Sequence, residues 1–289
     1  MLRCTYIVLI HNNESNITKL VDSLKKIEGN FRKEFIFVDD GSTDNSLSLL
    51  KAEVNDIPRT TIITQEMQGP TISVNKAISL ATGDYTHFVE GDEVLQVDST
   101  SVLIESCLKL GVEVAIGHVA RSISARAKSA GLWRIIQNPI NEILLGKIPG
   151  VRDVGRSGSV VHSKLLDKIG RADSSIYTQN MSLSLRCAKY TKFALLEEDV
   201  TAIIDCRSNS DSKFSSYNNL KSIYNFSKEN PEIFSSLTSE LLMALSRESQ
   251  GRSDKINYAI KSLVRKYIRS TSLDSVLTLY KSELEKLFY

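Results

Sequence analysis

The chain has 289 residues, 42% of them hydrophobic, which suffices for one large α/β domain with an appendage. Thirty-six Lys and Arg against thirty-four Asp and Glu leave a formal charge of +2, so charge gives no strong argument for nucleic acid or membrane as a partner. Cys4, Cys107, Cys187 and Cys206 lack metal-ligand spacing and imply no disulfide framework, no apolar run approaches the roughly 20 residues of a spanning helix, and the N-terminal residues enter a strand pattern directly, which together predict a cytoplasmic protein.

Tyr6-Ile7-Val8-Leu9-Ile10 reads as a first strand, His11-Asn12-Asn13-Glu14 as its terminal loop, and Ile17, Leu20, Val21 and Leu24 keep the spacing of a helix. Phe35-Ile36-Phe37-Val38 is a strand buried on both faces, as in parallel sheets, and Asp39 and Asp40 stand where it ends. Gly41 permits a sharp turn, with Ser42, Thr43 or Asp44 available to cap a helix through Leu47, Leu49 and Leu50. In open α/β sheets ligands bind beyond the carboxyl ends of strands, so both aspartates should face a ligand. Thr60-Thr61-Ile62-Ile63-Thr64 suits a third strand, and Val74, Ala77, Ile78 and Ala81 a third helix. The stretch Gly83-Asp84-Tyr85-Thr86-His87-Phe88-Val89-Glu90-Gly91-Asp92-Glu93 again runs a strand into an acidic turn.

These two acidic strand ends resemble the nucleotide-sugar-binding half of family 2 glycosyltransferases of the GT-A fold, with their Val-Asp-Asp-Gly-Ser-Thr-Asp and Asp-x-Asp motifs. The resemblance implies a Rossmann-like mixed, mainly parallel sheet flanked by helices, a nucleotide-diphosphosugar donor, and a Mg²⁺ or Mn²⁺ ion. It places His11, Asn13, Asp39, Asp40, Asn75, Glu90 and Asp92 around the donor, with Asp92 and Glu90 toward the metal. Departures are visible at Ile10, where the family generally has Pro, at Val74, where it has Arg, and at Glu90-Gly91-Asp92 in place of Asp-x-Asp.

After a helix over Ser99–Leu110 and a strand from Val112 to His118, the residues Arg121, Arg126, Lys128, Trp133 and Arg134 read as an amphipathic helix with a basic face. The alternative is an acceptor or phosphate surface. Asn138-Pro139 and Ile148-Pro149-Gly150 mark loops that could hold a lid.

Gly158, Ser159, Ile169, Gly170 and Asp173 match the family's later segment. Next should come Glu-Asp at the start of a helix, one member of which is the catalytic base, but this chain has Gln179-Asn180. An amide cannot take a proton from the acceptor hydroxyl at neutral pH. Asp173, Asp153, His118 and His162 are candidates for the missing base, none supported by a motif. The closing strand Ala202-Ile203-Ile204-Asp205-Cys206-Arg207 is followed by Ser208 and Asn209, where the family often has His.

From residue 213 onward, apolar residues at helical spacing predict three or four amphipathic helices, giving a division into a 1–212 glycosyltransferase domain and a helical region at 213–289. Their apolar faces should pack on the catalytic domain or between subunits, with peripheral membrane attachment at the inner face as the second reading. The sequence thus predicts transfer of a sugar to a hydroxyl of a glycan or lipid-linked acceptor, or, if catalysis has been lost, a module that binds nucleotide sugars or a partner.

Overall fold

The computed structural model describes residues 1–120, 133–146, 148, 150–204, 212–249 and 272–288. Among the described residues, nine strands form one mixed sheet, ordered β3-β2-β1-β4-β8-β6-β9-β5, with β7 pairing on β9. Its N-terminal half is parallel: β1 (Arg3–Ile10) lies between β2 (Arg32–Asp40) and β4 (Tyr85–Glu90), and β3 (Thr60–Gln65) adds outside β2. Beyond β4 come β8 (Ser159–His162), β6 (Val114–Ala120), β9 (Phe193–Ile204), β5 (Glu93–Leu95) and β7 (Trp133–Ile136). Only β6 and β9 pair in parallel there; β8, β5 and β7 run antiparallel to their neighbours.

Strand periodicity divides the core into two layers. Tyr6 and Val8 of β1 with Phe35 and Phe37 of β2 pack under Leu20 and Leu24 of α1 (Ile17–Lys26) and Leu103 of α4 (Ser99–Leu110). Ile7, Ile36 and Val38 pack on the other side against Val74 of α3 (Pro70–Ile78), Leu165 of α6 (Ser163–Ile169) and Leu183 of α7 (Gln179–Ala188). Val74, where the resemblance leads one to expect Arg, is buried in this layer. The remaining central helices are α2 (Ser46–Glu53) and α5 (Pro139–Leu145).

The C-terminal helices α8 (Ser212–Glu229), α9 (Pro231–Phe234), α10 (Thr238–Ser249) and α11 (Leu273–Phe288) join this second layer. Ile223, Leu241, Leu245, Val276 and Tyr280 belong to the same apolar cluster as Ile7, and the buried Tyr280 hydroxyl donates to the Leu241 carbonyl at 2.7 Å. Apolar faces on these helices therefore pack on the layer that covers this side of the sheet. Among the described residues no helix is long and apolar enough to cross a membrane.

Two local expectations are corrected. Trp133 and Arg134 lie in the extended β7, paired with β9, because an edge-strand position satisfies their backbone where a helix was expected. Asn138-Pro139 opens α5 rather than a loop, with Pro at the first helical turn, where its missing N–H costs nothing. Arg121, Arg126, Lys128, Pro149, Asp205, Cys206, Arg207, Ser208, Asn209 and the helical pattern from Ile256 to Tyr267 lie outside the described residues.

Candidate functional site

Parallel registry brings the two acidic strand ends to one edge of the sheet. Ile10 pairs with Asp39 on one side of β1, and Leu9 pairs with Glu90 on the other. The loop after β1 fills the space between them. Asn12 adopts a left-handed φ of 53°, accepts from the Thr43 N–H at 2.8 Å, and donates its own N–H to Ser42 Oγ at 3.0 Å. His11 donates from Nδ1 to the Asp40 carbonyl at 2.9 Å, since that oxygen can only accept. Asn13 Oδ1 accepts the His11 N–H at 2.8 Å, and a Cβ on Gly91 would stand 2.2 Å from the same oxygen, so only glycine lets the β4 turn close on this loop.

The adjacent aspartates have opposite environments. Asp40 accepts from Gln65 Nε2 and the Gln68 N–H through Oδ1 and from the Gly69 N–H through Oδ2, each at 2.8 Å. It fixes the loop between β3 and α3, a role that the sequence reading, which set it beside the nucleotide, did not anticipate. Asp39 is buried, receives one long bond of 3.4 Å from the Ser42 N–H on Oδ2, and its Oδ1 has no hydrogen-bond partner among the described residues. A buried carboxylate oxygen without a donor is costly, and a ligand N–H or O–H would relieve it.

Asn75, expected at the donor, uses its amide elsewhere. Its Nδ2 donates to the Ala172 carbonyl at 2.9 Å and its Oδ1 accepts the Ala172 N–H at 3.0 Å, stapling α3 to the segment after α6. Glu90, expected beside a metal, has both oxygens engaged by Arg156, at 2.9 Å from Nε and 3.0 Å from Nη2. Among the described residues no three His, Cys, Asp or Glu side chains converge on a metal position. A Mg²⁺ or Mn²⁺ held largely by donor phosphates needs only one or two carboxylates. Of the two acids expected toward a metal, Glu90 is fork-paired with a guanidinium.

Glu93 is buried, and its pKa stands well above the usual carboxylate range, first through burial and then through the neighbouring Glu90 and Asp92. His87 is the hub of a buried chain behind the acidic turn. Tyr6 Oη donates to Thr100 Oγ1 at 2.8 Å, Thr100 donates to His87 Nδ1 at 2.9 Å, and His87 Nε2–H donates to the Ser157 carbonyl at 2.7 Å. Burial lowers its pKa to about 4, only partly opposed by the Ser157 carbonyl, so the ring is neutral in the fold. Ser157 Oγ in turn accepts the Glu90 N–H at 3.0 Å.

The segment before β8 thereby becomes part of the site. Gln179 Nε2 donates to the Gly155 carbonyl at 2.9 Å, and Asn180 Nδ2 donates to Asp153 Oδ1 at 3.3 Å. Gly155 has φ +94°, and a Cβ there would meet Leu183 Cδ1 at 2.6 Å, so α7 and this segment close on each other without space for a side chain. Asp153 also lies 3.9 Å from Arg156 Nη1 and lines a cavity of about 500 Å³ with Gly117, His118, Arg134 and Leu195. Its pKa is raised, by burial first, against the lowering influence of Arg156 and Asn180.

The other candidate bases are less suited. Asp173 caps a turn, accepting from the Ser175 N–H at 2.9 Å and from Asn225 Nδ2 at 2.8 Å; burial opposes its charge, but these bonds prevail and hold its pKa below the usual range. His162 caps α6 and pairs with Tyr85 at the start of β4, the opposite end of that strand from Glu90. His118 is exposed at the cavity. Sequence reading missed the Arg156–Glu90 pair and the His87 chain, and no local signal could reveal contacts between residues 66 positions apart.

A family model described as "Glycosyl transferase family 2" matches residues 5–169. An uncharacterized glycosyltransferase YibD of Escherichia coli is 32% identical over 82 residues, 28% of this chain and 24% of its own length. The poly(ribitol-phosphate) beta-glucosyltransferase of Bacillus spizizenii is 23% identical over 68% of this chain and 33% of its own. The chain thus spans well under half the length of these curated relatives. Among solved structures, S. aureus TarS in complex with UDP-GlcNAc superposes with a TM-score of 0.63 at 15% identity, over 99% of this chain and 92% of that one. The mannosyltransferase PcManGT of Pyrobaculum calidifontis, in complex with GDP-Man and Mn²⁺, gives 0.62 at 13% identity, over 100% and 81%. These likenesses show the GT-A fold, and with the family match over most of the parallel sheet, the chain belongs to glycosyl transferase family 2.

Proposed function

We propose that the protein transfers a sugar from a nucleotide-diphosphosugar donor to a hydroxyl of a glycan or lipid-linked acceptor, with inversion at the anomeric carbon. The observation that carries this reading is Asp39 Oδ1, buried and without a donor at the carboxyl edge of the parallel strands. A nucleoside base N–H or a ribose hydroxyl is the complement it lacks, and His11, on the adjacent loop after β1, bonds the carbonyl of the next residue, Asp40. Complexes of the fold relatives with UDP-GlcNAc and GDP-Man support the donor class.

In this mechanism Asp39 orients the nucleoside, Asp40 holds the loop between β3 and α3 in place, and Asp92 is the carboxylate that would hold a Mg²⁺ or Mn²⁺. Such an ion supplies charge neutralisation of the leaving diphosphate. Attack from the face opposite the diphosphate inverts the anomeric centre. A single carboxylate that removes the acceptor proton completes the requirement.

A second reading, a module that binds nucleotide sugars without transfer, is favoured by one observation: the residues opening α7 are the amides Gln179 and Asn180. Calorimetric binding of UDP, GDP, UDP-GlcNAc and GDP-Man, with and without Mn²⁺, tests donor recognition, and release of nucleoside diphosphate from the bound donor separates the two readings. Absence of binding to every nucleotide would overturn both.

A further inference from the structure

We infer that Asp153, supplied by the segment before β8, is the catalytic base of this enzyme, and that Asn180 positions it. The inference rests on the transferase reading above and assigns the step that reading leaves open.

Four features converge on Asp153. It occupies the correct end of the molecule: a continuous row runs from Glu90 at the end of β4, through Arg156, to Asp153 and then to Asn180 at the start of α7. One guanidinium therefore separates it from the acidic turn of the donor side. Only Oδ1 is engaged, by Asn180; Oδ2 has no hydrogen bond among the described residues, and 42% of the side chain is open to solvent. The carboxylate borders the 500 Å³ cavity, which gives an acceptor hydroxyl room to approach.

The segment is also rigid. Its Asp153 N–H donates to the Gly150 carbonyl at 2.8 Å, the Arg156 N–H to the Asp153 carbonyl at 3.0 Å, and the Val154 N–H to Ser184 Oγ at 3.1 Å. With Gln179 on Gly155 and His87 on Ser157, the backbone flanking the carboxylate is held from α7 on one side and from the sheet on the other. Such support is what a positioned base needs, because small displacements of a reacting group lower its rate strongly.

The amides at α7 follow from the same geometry. An acid at position 180 would set two carboxylates within about 3 Å of each other, and such pairs cannot both ionise. Asparagine instead offers an N–H to Asp153 Oδ1 and leaves Asp153 as the proton acceptor. The electrostatic neighbours of Asp153 are Arg156, Arg152 and Glu90, and His118 and Arg134 border the same cavity.

In the reaction, Asp153 takes the proton of the acceptor hydroxyl. The oxygen's electron pair forms the bond to the anomeric carbon as the bond from that carbon to the β-phosphate oxygen breaks, and its electrons leave with the nucleoside diphosphate. The protonated Asp153 then returns its proton to solvent through its exposed side.

The test compares wild type with Asp153→Asn, Asp153→Glu and Asn180→Asp. Whichever of UDP-GlcNAc, UDP-glucose and GDP-Man binds in Mn²⁺ serves as donor, and nucleoside diphosphate release is followed with water, glycerol and methyl glycosides as acceptors. Asp153→Asn can still accept the Asn180 amide, so its melting temperature and nucleotide affinity are expected to stay close to wild type while turnover falls by about 10² to 10⁴. The acid limb of the pH profile disappears with it. Asp153→Glu regains at least about tenfold over Asn, as expected for a displaced but competent base. Asn180→Asp shifts the acid limb to higher pH, because the new pair shares one proton. Turnover of Asp153→Asn within about threefold of wild type, an unchanged acid limb, or a bound donor that no acceptor discharges in wild type would overturn the assignment of Asp153 while leaving donor binding intact. If no nucleotide sugar binds, the transferase reading falls and this inference falls with it.

Discussion

Arg156 grips Glu90 through two N–H···O bonds, 2.9 Å from Nε and 3.0 Å from Nη2, and so occupies both oxygens of the carboxylate that begins the acidic turn. Bidentate pairing of this kind fixes both planes and satisfies both oxygens. The metal is therefore expected to depend on Asp92. Asp92→Ala should weaken UDP or GDP binding by about tenfold or more in Mn²⁺ and leave it nearly unchanged in EDTA. Glu90→Gln, which acts through Arg156, should change affinity equally under both conditions; a Mn²⁺-specific loss in Glu90→Gln would restore Glu90 as a ligand.

Neighbouring aspartates should separate stability from binding. Asp40→Asn sets an amide against the three N–H donors that Asp40 now satisfies, and is expected to cost about 1–3 kcal/mol in urea unfolding. Asp39→Asn relieves a buried carboxylate whose Oδ1 has no donor, so stability should hold or rise by about 1 kcal/mol while nucleoside diphosphate affinity drops. Equal loss of stability in both variants would contradict this division.

Acid should act through His87. Its folded pKa of about 4 lies below the ordinary value of 6.5, so the unfolded chain binds the proton first and stability falls as pH drops through that window. The full effect is on the order of 3 kcal/mol, because each pH unit between the folded and unfolded values corresponds to about 1.4 kcal/mol. Unfolding free energies measured from pH 7.5 to pH 4.5 should show this loss in wild type and a shallower slope in His87→Gln. A parallel slope in the two proteins would rule His87 out as the cause.

The C-terminal helices should support the catalytic segment. Glu248 of α10 accepts from Arg152 Nη1 at 3.0 Å, with side-chain exposures of 7% and 22%, and Arg152 Nε also donates to the Ile143 carbonyl at 3.0 Å. Removing one partner of a largely buried pair strands the other, so Glu248→Ala is expected to cost about 3 kcal/mol, read as a lowered melting temperature. A change below about 0.5 kcal/mol would mean that Arg152 finds solvent instead.

Local chemistry in the sequence determined the strands, their acidic ends and the first helices. A run such as Phe35-Ile36-Phe37-Val38 is stable only when covered on both faces, and Asp39-Asp40-Gly41 ends it with turn residues, Gly41 taking a left-handed φ of 72°. The helices described at 212–249 and 273–288 were legible for the same reason, since their apolar spacing needs no knowledge of what covers it. Which carboxylate does what was decided by tertiary structure. Asp39 and Asp40 are indistinguishable as sequence, and only the packing of the loop between β3 and α3 gives three donors to one and none to an oxygen of the other. Likewise, Gln179 and Asn180 read as a lost acid until the chain returns α7 to the segment around Asp153, where an amide N–H meets a carboxylate from 27 residues away. Charge pairing and hydrogen bonding depend on distances in space, and sequence spacing fixes those distances only within a single helix, strand or turn.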